Sequence, residues 1–272
     1  MDLWFNERET DNIRVQWKVV RHLYSSVSKF QRIDVVDLAE FGRTLVLDGI
    51  IQTTYTDEFI YHEMLAHVPL VSIPEPRRVL VIGGGDGGTV RQVLKHPVER
   101  VDLVEIDGEV IRVSKEFLPR LASALNDPRV CIHVEDAIEY VKSCPEKYDC
   151  VLVDSSDPVG PAVGLFSGEF FRNIAGILST DGILAAQTES PLFNKALIKG
   201  VFTQLKGVFP QTSFYWCNVP SYSIGPWSFV LAKKTDSPRV ALRNPEHCRY
   251  YTEEIYQAAF TLPGYFKALF KE

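Results

Sequence analysis

Four apolar runs restrict what this chain can become more than any other feature. RVLVIG (78–83), RVDLVEI (100–106), VCIHV (130–134) and YDCVLVD (148–154) are mostly apolar, with little of the alternation of a half-buried strand. That is the pattern of strands covered on both faces. Between them, GTVRQVLKH, EVIRVSKEFL and AIEYVKSC place apolar residues at helical spacing. Strands alternating with helices predict an α/β fold with a doubly wound, Rossmann-like parallel sheet. Further on, GILAAQT (182–188) and FYWCNVP (214–220) read as additional strands flanking a helix over 194–208, and WSFVLAKK (227–234) pairs with FYWCNVP as an edge hairpin.

The first part of the chain has a different texture. FQRIDVVDL, EFGRTLVLDG and IIQTTYTD (within 30–57) alternate polar and apolar residues, with Gly42 and Asp48-Gly49 at turns. A period of two with turn signals predicts a small antiparallel β-domain. YHEMLAHVPLV (61–71) reads as a helix joining the two parts. The expected organisation is an N-terminal β-strand domain over 1–58 and a Rossmann-like domain over 59–272.

Bulk properties narrow the function. A net charge of −6 disfavours nucleic acid, whose phosphates need a basic face, and suits cationic ligands. The start, MDLWFNERETDN, has no apolar h-region, and no apolar run reaches the ~20 residues of a membrane span. The five cysteines lack any C-x-x-C pair, so free thiols in a reducing cytoplasm are expected, with neither disulfide framework nor metal site.

VLVIGGGDGG sets Gly83, Gly85 and Gly88 in G-x-G-x-x-G spacing between a strand and a helix, where a ligand can approach the backbone closely. Some twenty residues later VEID ends the next strand with Glu105 and Asp107. A carboxylate there can accept hydrogen bonds from both hydroxyls of a ribose. Asp86 inside the glycine loop would repel a pyrophosphate and attract a cation, which favours a sulfonium nucleoside with an amine tail over a dinucleotide. Asp136, after the third strand, suits an adenine amino group or a helix N-cap, and the two roles are compatible.

VLVDSSDPVGP (151–161) then ends a buried strand with Asp154 and Asp157, three residues apart on a loop stiffened by Pro158 and Pro161. Alone it reads as a capped turn. With the glycine loop and the ribose acid beside it, it becomes a candidate part of the same site.

These motifs, with FGRTLVLDGIIQTT, TDEFIYHEM and VPSY, occur in an order and spacing over residues 28–232 that resembles the spermidine synthases, the aminopropyltransferases using decarboxylated S-adenosylmethionine. The resemblance implies a β-domain, a Rossmann-like domain and a homodimer or homotetramer. It implies no prosthetic group and no metal, with decarboxylated S-adenosylmethionine as co-substrate and a diamine, putrescine by default, as acceptor. Carried over residue by residue, Gln31, Glu105, Asp136, Ala137 and Pro161 are nucleoside contacts, and Asp86 takes the aminopropyl amine. Tyr61, His62, Asp154, Ser155, Ser156, Asp157 and Tyr222 line the amine channel, with Trp4 and Glu189 at the distal amine. Asp154 matches the base. Ala137 replaces a frequent Gly, Phe171 a common Tyr, Ser221 a frequent Thr and Tyr256 a frequent His, so acceptor preference is where this chain can differ.

A lysine-like amine (~10.4) and an ordinary Asp (~3.9) differ by roughly 6.5 pKa units. Asp154 therefore needs a burial-raised pKa, a cationic neighbour beside the amine, or help from Tyr61, His62 or water. The rival readings are a methyltransferase, which must accommodate a methionine carboxylate that Asp86 repels, a dinucleotide oxidoreductase, weakened by the same acid, and a non-catalytic polyamine-binding protein.

Overall fold

The computed structural model describes residues 2–156, 160–222, 225–236 and 241–271. The N-terminal sheet runs β1 (Leu3–Arg8), β2 (Arg14–Val27), β3 (Arg32–Leu38), β4 (Gly42–Leu47) and β5 (Ile50–Thr54), all antiparallel in chain order. β3 to β5 are the expected strands. β1 and β2 form a further hairpin in which Trp17 Nε1 donates to Glu7 across the pair. α1 (Glu58–Leu70) follows directly.

The second sheet is built from β6 (Arg78–Gly83), α2 (Gly88–Val93), β7 (Arg100–Glu105), α3 (Gly108–Phe117), α4 (Pro119–Ala122), β8 (Val130–Val134), α5 (Ala137–Ser143) and β9 (Tyr148–Asp154). It is completed by α6 (Gly168–Ile177), β10 (Leu178–Gln187), α7 (Lys195–Lys206), β11 (Gln211–Cys217) and β12 (Trp227–Lys233), with α8 (Glu253–Ala259) and α9 (Gly264–Lys267) beyond. Spatial order is β11-β12-β10-β9-β6-β7-β8, parallel from β10 through β8, with β12 and then β11 antiparallel at the edge. The expected hairpin is present, with β12 inserted between β11 and β10.

The two-sided runs explain the layering. In β6, Val79 and Val81 face one core with α1 and α2, while Leu80 and Ile82 face the other with α5, α6 and α7. Each such side chain, fully buried, contributes about 1.5–3 kcal/mol, an incentive to cover both faces of the sheet.

Strand order reverses between β6 and β9: the chain first steps outward to β7 and β8, then returns to the other side of β6. Ligands of such sheets bind at the carboxyl ends of the strands flanking that reversal. Gly83 and Asp154 are cross-strand partners at that point.

α1 is buried almost all round, which is why it shows no apolar stripe. Its outer cover is the C-terminal segment. The buried Glu63 carboxylate accepts backbone N–H groups of Arg249, Tyr250 and Tyr251 at 2.8–3.1 Å, and the Arg249 guanidinium lies 3.7 Å from the centre of the Phe59 ring. All five cysteines are free thiols, and no described helix is long and apolar enough to cross a membrane.

Candidate active site

A cavity of about 580 Å³ opens at the strand-order reversal and reaches the N-terminal sheet. Gln31, Glu105, Asp136 and Ala137 line one part of it, and Tyr61, His62, Asp86, Asp154, Ser155, Ser156, Glu189 and Tyr222 another. Of the expected site residues, Asp157 lies outside the described residues, as does the side chain of Pro161. Trp4 is half-exposed and lines a neighbouring hollow of the N-terminal sheet with Phe5 and Val19, rather than this cavity.

Asp154 ends β9 against the glycine loop. A Cβ on Gly83 would sit 2.2 Å from the Asp154 carbonyl oxygen, and Gly83 has φ +75°, so only glycine permits this approach. The carboxylate has two donors, Tyr61 OH to Oδ1 at 2.7 Å and Thr89 Oγ1 to Oδ2 at 2.6 Å. Withdrawal from water raises its pKa above the ordinary carboxylate range; His62 opposes the rise and Asp86 adds to it. Tyr61, buried beside this acid, is held well above its usual pKa by burial and then by Asp154, so it stays a phenol.

His62 belongs to a buried chain of charges. Arg91 Nη2 donates to both Glu58 oxygens at 2.7 Å, and His62 Nδ1 lies 2.7 Å from Glu58 Oε2. His62 Nε2 faces Asp86 Oδ2 at 3.7 Å. Burial works against the imidazolium, but Asp86 and Glu58 outweigh it and raise His62 to about 10. Burial likewise opposes the Glu58 carboxylate, and His62 and Arg91 overcome it, bringing Glu58 to about 2. The two carboxylates thus favour the imidazolium form of His62.

Glu105 accepts from Gly85 N at 3.2 Å and Asp107 N at 3.0 Å. Burial still dominates and raises it to about 7. Asp136 caps α5 through Ile138 N at 2.8 Å, so the capping role is real, and it also faces the cavity. Gln31 reaches from the N-terminal sheet and donates to Asp107 at 3.0 Å, drawing the two sheets together at this end. At the opposite end Glu189 has φ +63° and is tied to Gln187, whose Nε2 also donates to the Ser155 carbonyl.

The chain matches the spermine/spermidine synthase domain over residues 58–244 and the spermidine synthase tetramerisation domain over residues 3–55. It belongs to the spermine/spermidine synthase family. Similar members include the polyamine aminopropyltransferase of Desulforudis audaxviator, 48% identical over the full length of both chains, and that of Bacillus subtilis, 44% identical over 99% of both. A crystal structure of a spermidine synthase in complex with the transition-state analogue AdoDATO superposes with a TM-score of 0.94 at 38% identity, covering 98% of this chain and 94% of that one. The Thermotoga maritima spermidine synthase gives 0.91 at 37%, covering 98% and 93%. The fold shared with these family members is the one expected from the strand pattern.

Several residues of the site carried no signal that the motifs could announce. Thr89 is hidden in the first turn of α2, and Arg91 reaches His62 through Glu58. Glu58 was recoverable, since it precedes His62 by one helical turn, the spacing at which side chains meet. Elsewhere Asp102, Cys131 and His133 converge within 4.8 Å, a grouping not evident from histidine spacing. Arg100 pairs with both oxygens of Asp102, and His133 and Tyr148 also reach that acid, so the cluster is an ion-paired network with its cation already supplied.

Proposed function

We propose that this chain transfers the aminopropyl group of decarboxylated S-adenosylmethionine to a diamine, putrescine by preference, giving spermidine and methylthioadenosine. The observation that carries the reading is Asp154. It is a carboxylate of raised pKa, held by Tyr61 and Thr89 at the carboxyl ends of β6 and β9, beside an acid in the glycine loop.

Glu105 takes the ribose hydroxyls, with Gln31, Asp136 and Ala137 around the nucleoside and Asp86 facing the aminopropyl ammonium. A cationic co-substrate favours the ionised form of Glu105. The acceptor ammonium first loses a proton. Its lone pair then forms a C–N bond to the carbon attached to sulfur, and the C–S electron pair stays on sulfur as methylthioadenosine leaves. Positive charge moves from sulfur to nitrogen, so the task is positioning and stabilising the ammonium that develops. Asp154 receives the proton, either directly or through Tyr61 OH, which passes its own proton to Oδ1 as it accepts one from the amine. The raised pKa of Asp154 and the adjacent sulfonium both narrow the mismatch with the amine.

The match to a tetramerisation domain supports a homo-oligomer, and a reaction of this kind together with free thiols supports a cytoplasmic location. The test is to incubate the purified protein with decarboxylated S-adenosylmethionine and a panel of amines, following methylthioadenosine and product mass. Transfer with putrescine ranked first is expected. Methyl transfer from intact S-adenosylmethionine, or nucleoside binding without turnover on any amine, would overturn the reading.

A further inference from the structure

Asp57 precedes α1 and is 4% exposed. A carboxylate there would ordinarily cap the helix, yet it makes no cap bond. It turns to the segment that carries Tyr222. Asp57 Oδ2 accepts Ser221 N–H at 2.7 Å, and Oδ1 accepts the hydroxyls of Ser221 at 3.1 Å and Thr54 at 2.7 Å. Tyr222 donates its own hydroxyl to the Gln52 carbonyl of β5 at 2.8 Å. The segment is therefore fastened on both sides to the junction of β5 and α1. Its Tyr222 ring lies 4.5 Å from Trp227 and 5.8 Å from Tyr61, the tyrosine that reaches Asp154. Gln52, Ser221, Tyr222 and Trp227 all line the cavity.

We infer that Asp57 is a positioning residue that fixes the Tyr222 wall of the acceptor end and thereby sets discrimination between amines of different length. The inference rests on the aminopropyl-transfer reading. Asp57 lies behind Ser221 and acts through Tyr222. A rigid wall can separate substrates that differ by one methylene by about 10–200-fold, and a wall that yields loses that margin. The carboxylate supplies rigidity because each oxygen is committed to a named donor in a site with little water to replace it.

The experiment compares kcat and KM for putrescine and cadaverine in the wild type, Asp57→Ala and Asp57→Asn, with KM for decarboxylated S-adenosylmethionine measured alongside. In Asp57→Ala the amine KM rises about tenfold while the co-substrate KM stays within about twofold. The ratio of kcat/KM for putrescine over cadaverine moves towards one by at least about fivefold. Asp57→Asn restores most of the ratio, since its amide oxygen accepts Ser221 N–H and its amide nitrogen donates to the neighbouring hydroxyls. An unchanged ratio in folded Asp57→Ala, a parallel rise of both KM values, or an Asn variant as impaired as Ala would overturn the inference. If Asp57→Ala does not fold, Ser221→Ala removes one of the two bonds and shifts the ratio in the same direction by about threefold; no shift overturns the inference. A wild type inactive on every amine would instead refute the aminopropyl-transfer reading itself.

Discussion

Replacing Tyr61 with Phe tests the proton path directly. The ring keeps its packing against Tyr222 at 5.8 Å and Phe229 at 5.4 Å, so the fold is retained and only the donor to Asp154 Oδ1 is lost. A hydrogen bond to a charged acceptor is worth about 1.5–3 kcal/mol, and 1.36 kcal/mol corresponds to one pH unit, so about 1–2 pH units are at stake. The direction follows from which form the bond favours. Tyr61 stabilises the ionised carboxylate, so its removal raises the already raised pKa of Asp154. The ionised base then appears only at higher pH, and the acid limb of kcat/KM moves upward by those 1–2 units. Loss of the relay lowers the plateau by roughly a hundredfold. The assay is methylthioadenosine release from pH 5 to 10, with Tm recorded at each pH. An acid limb that stays in place or moves down, with a plateau within about twofold of wild type, would refute the reasoning.

Asp154→Asn should abolish most turnover, by about a thousandfold, yet raise Tm at pH 8 by about 2–4 °C. A carboxyl whose folded pKa is raised loses stability as pH climbs from the unfolded value towards the folded one, and Asn is free of that penalty. Retained turnover, or a Tm below wild type at pH 8, counts against the assignment. Gly88→Ala would place a Cβ 2.2 Å from the His62 ring, which Glu58 prevents from retreating, at a cost of about 1–3 kcal/mol and with reduced turnover; wild-type Tm and kinetics would disprove it. Glu63→Ala leaves three backbone donors without their acceptor and should cost about 3 kcal/mol or more. Hydrogen exchange at residues 249–251 should quicken, and unchanged protection there would exclude the anchoring role.

The parts of this molecule that were legible in the chain are those written in local pattern. Runs such as RVLVIG announce two-sided burial because both faces must be apolar, and the glycine loop announces itself because few other sequences permit its close approach to Asp154. Asp154 and Glu105 were readable because each ends such a run. The β1–β2 hairpin was harder to read: β2 has burial alternating along an exposed strand, with charged residues on its open face. The ties between Asp57 and Ser221, Glu63 and Tyr251, and Thr89 and Asp154 were not legible, since each joins residues far apart in sequence and neither partner's type betrays the other. The charge state of His62 also depends on three-dimensional company, because it follows from Glu58 and Asp86 together.

The Glu63 anchor has a consequence for how the chain is made. Its acceptor is translated early, and its donors follow 186 to 188 positions later. At about 5–20 residues per second, roughly 10–40 s separate the two on the ribosome. Throughout that interval α1, which carries Tyr61 and His62, has no outer cover and a carboxylate without its amides. The nascent chain thus holds this helix uncovered on its Glu63 side until residues 249–251 emerge, and it is in this window that a chaperone would find it.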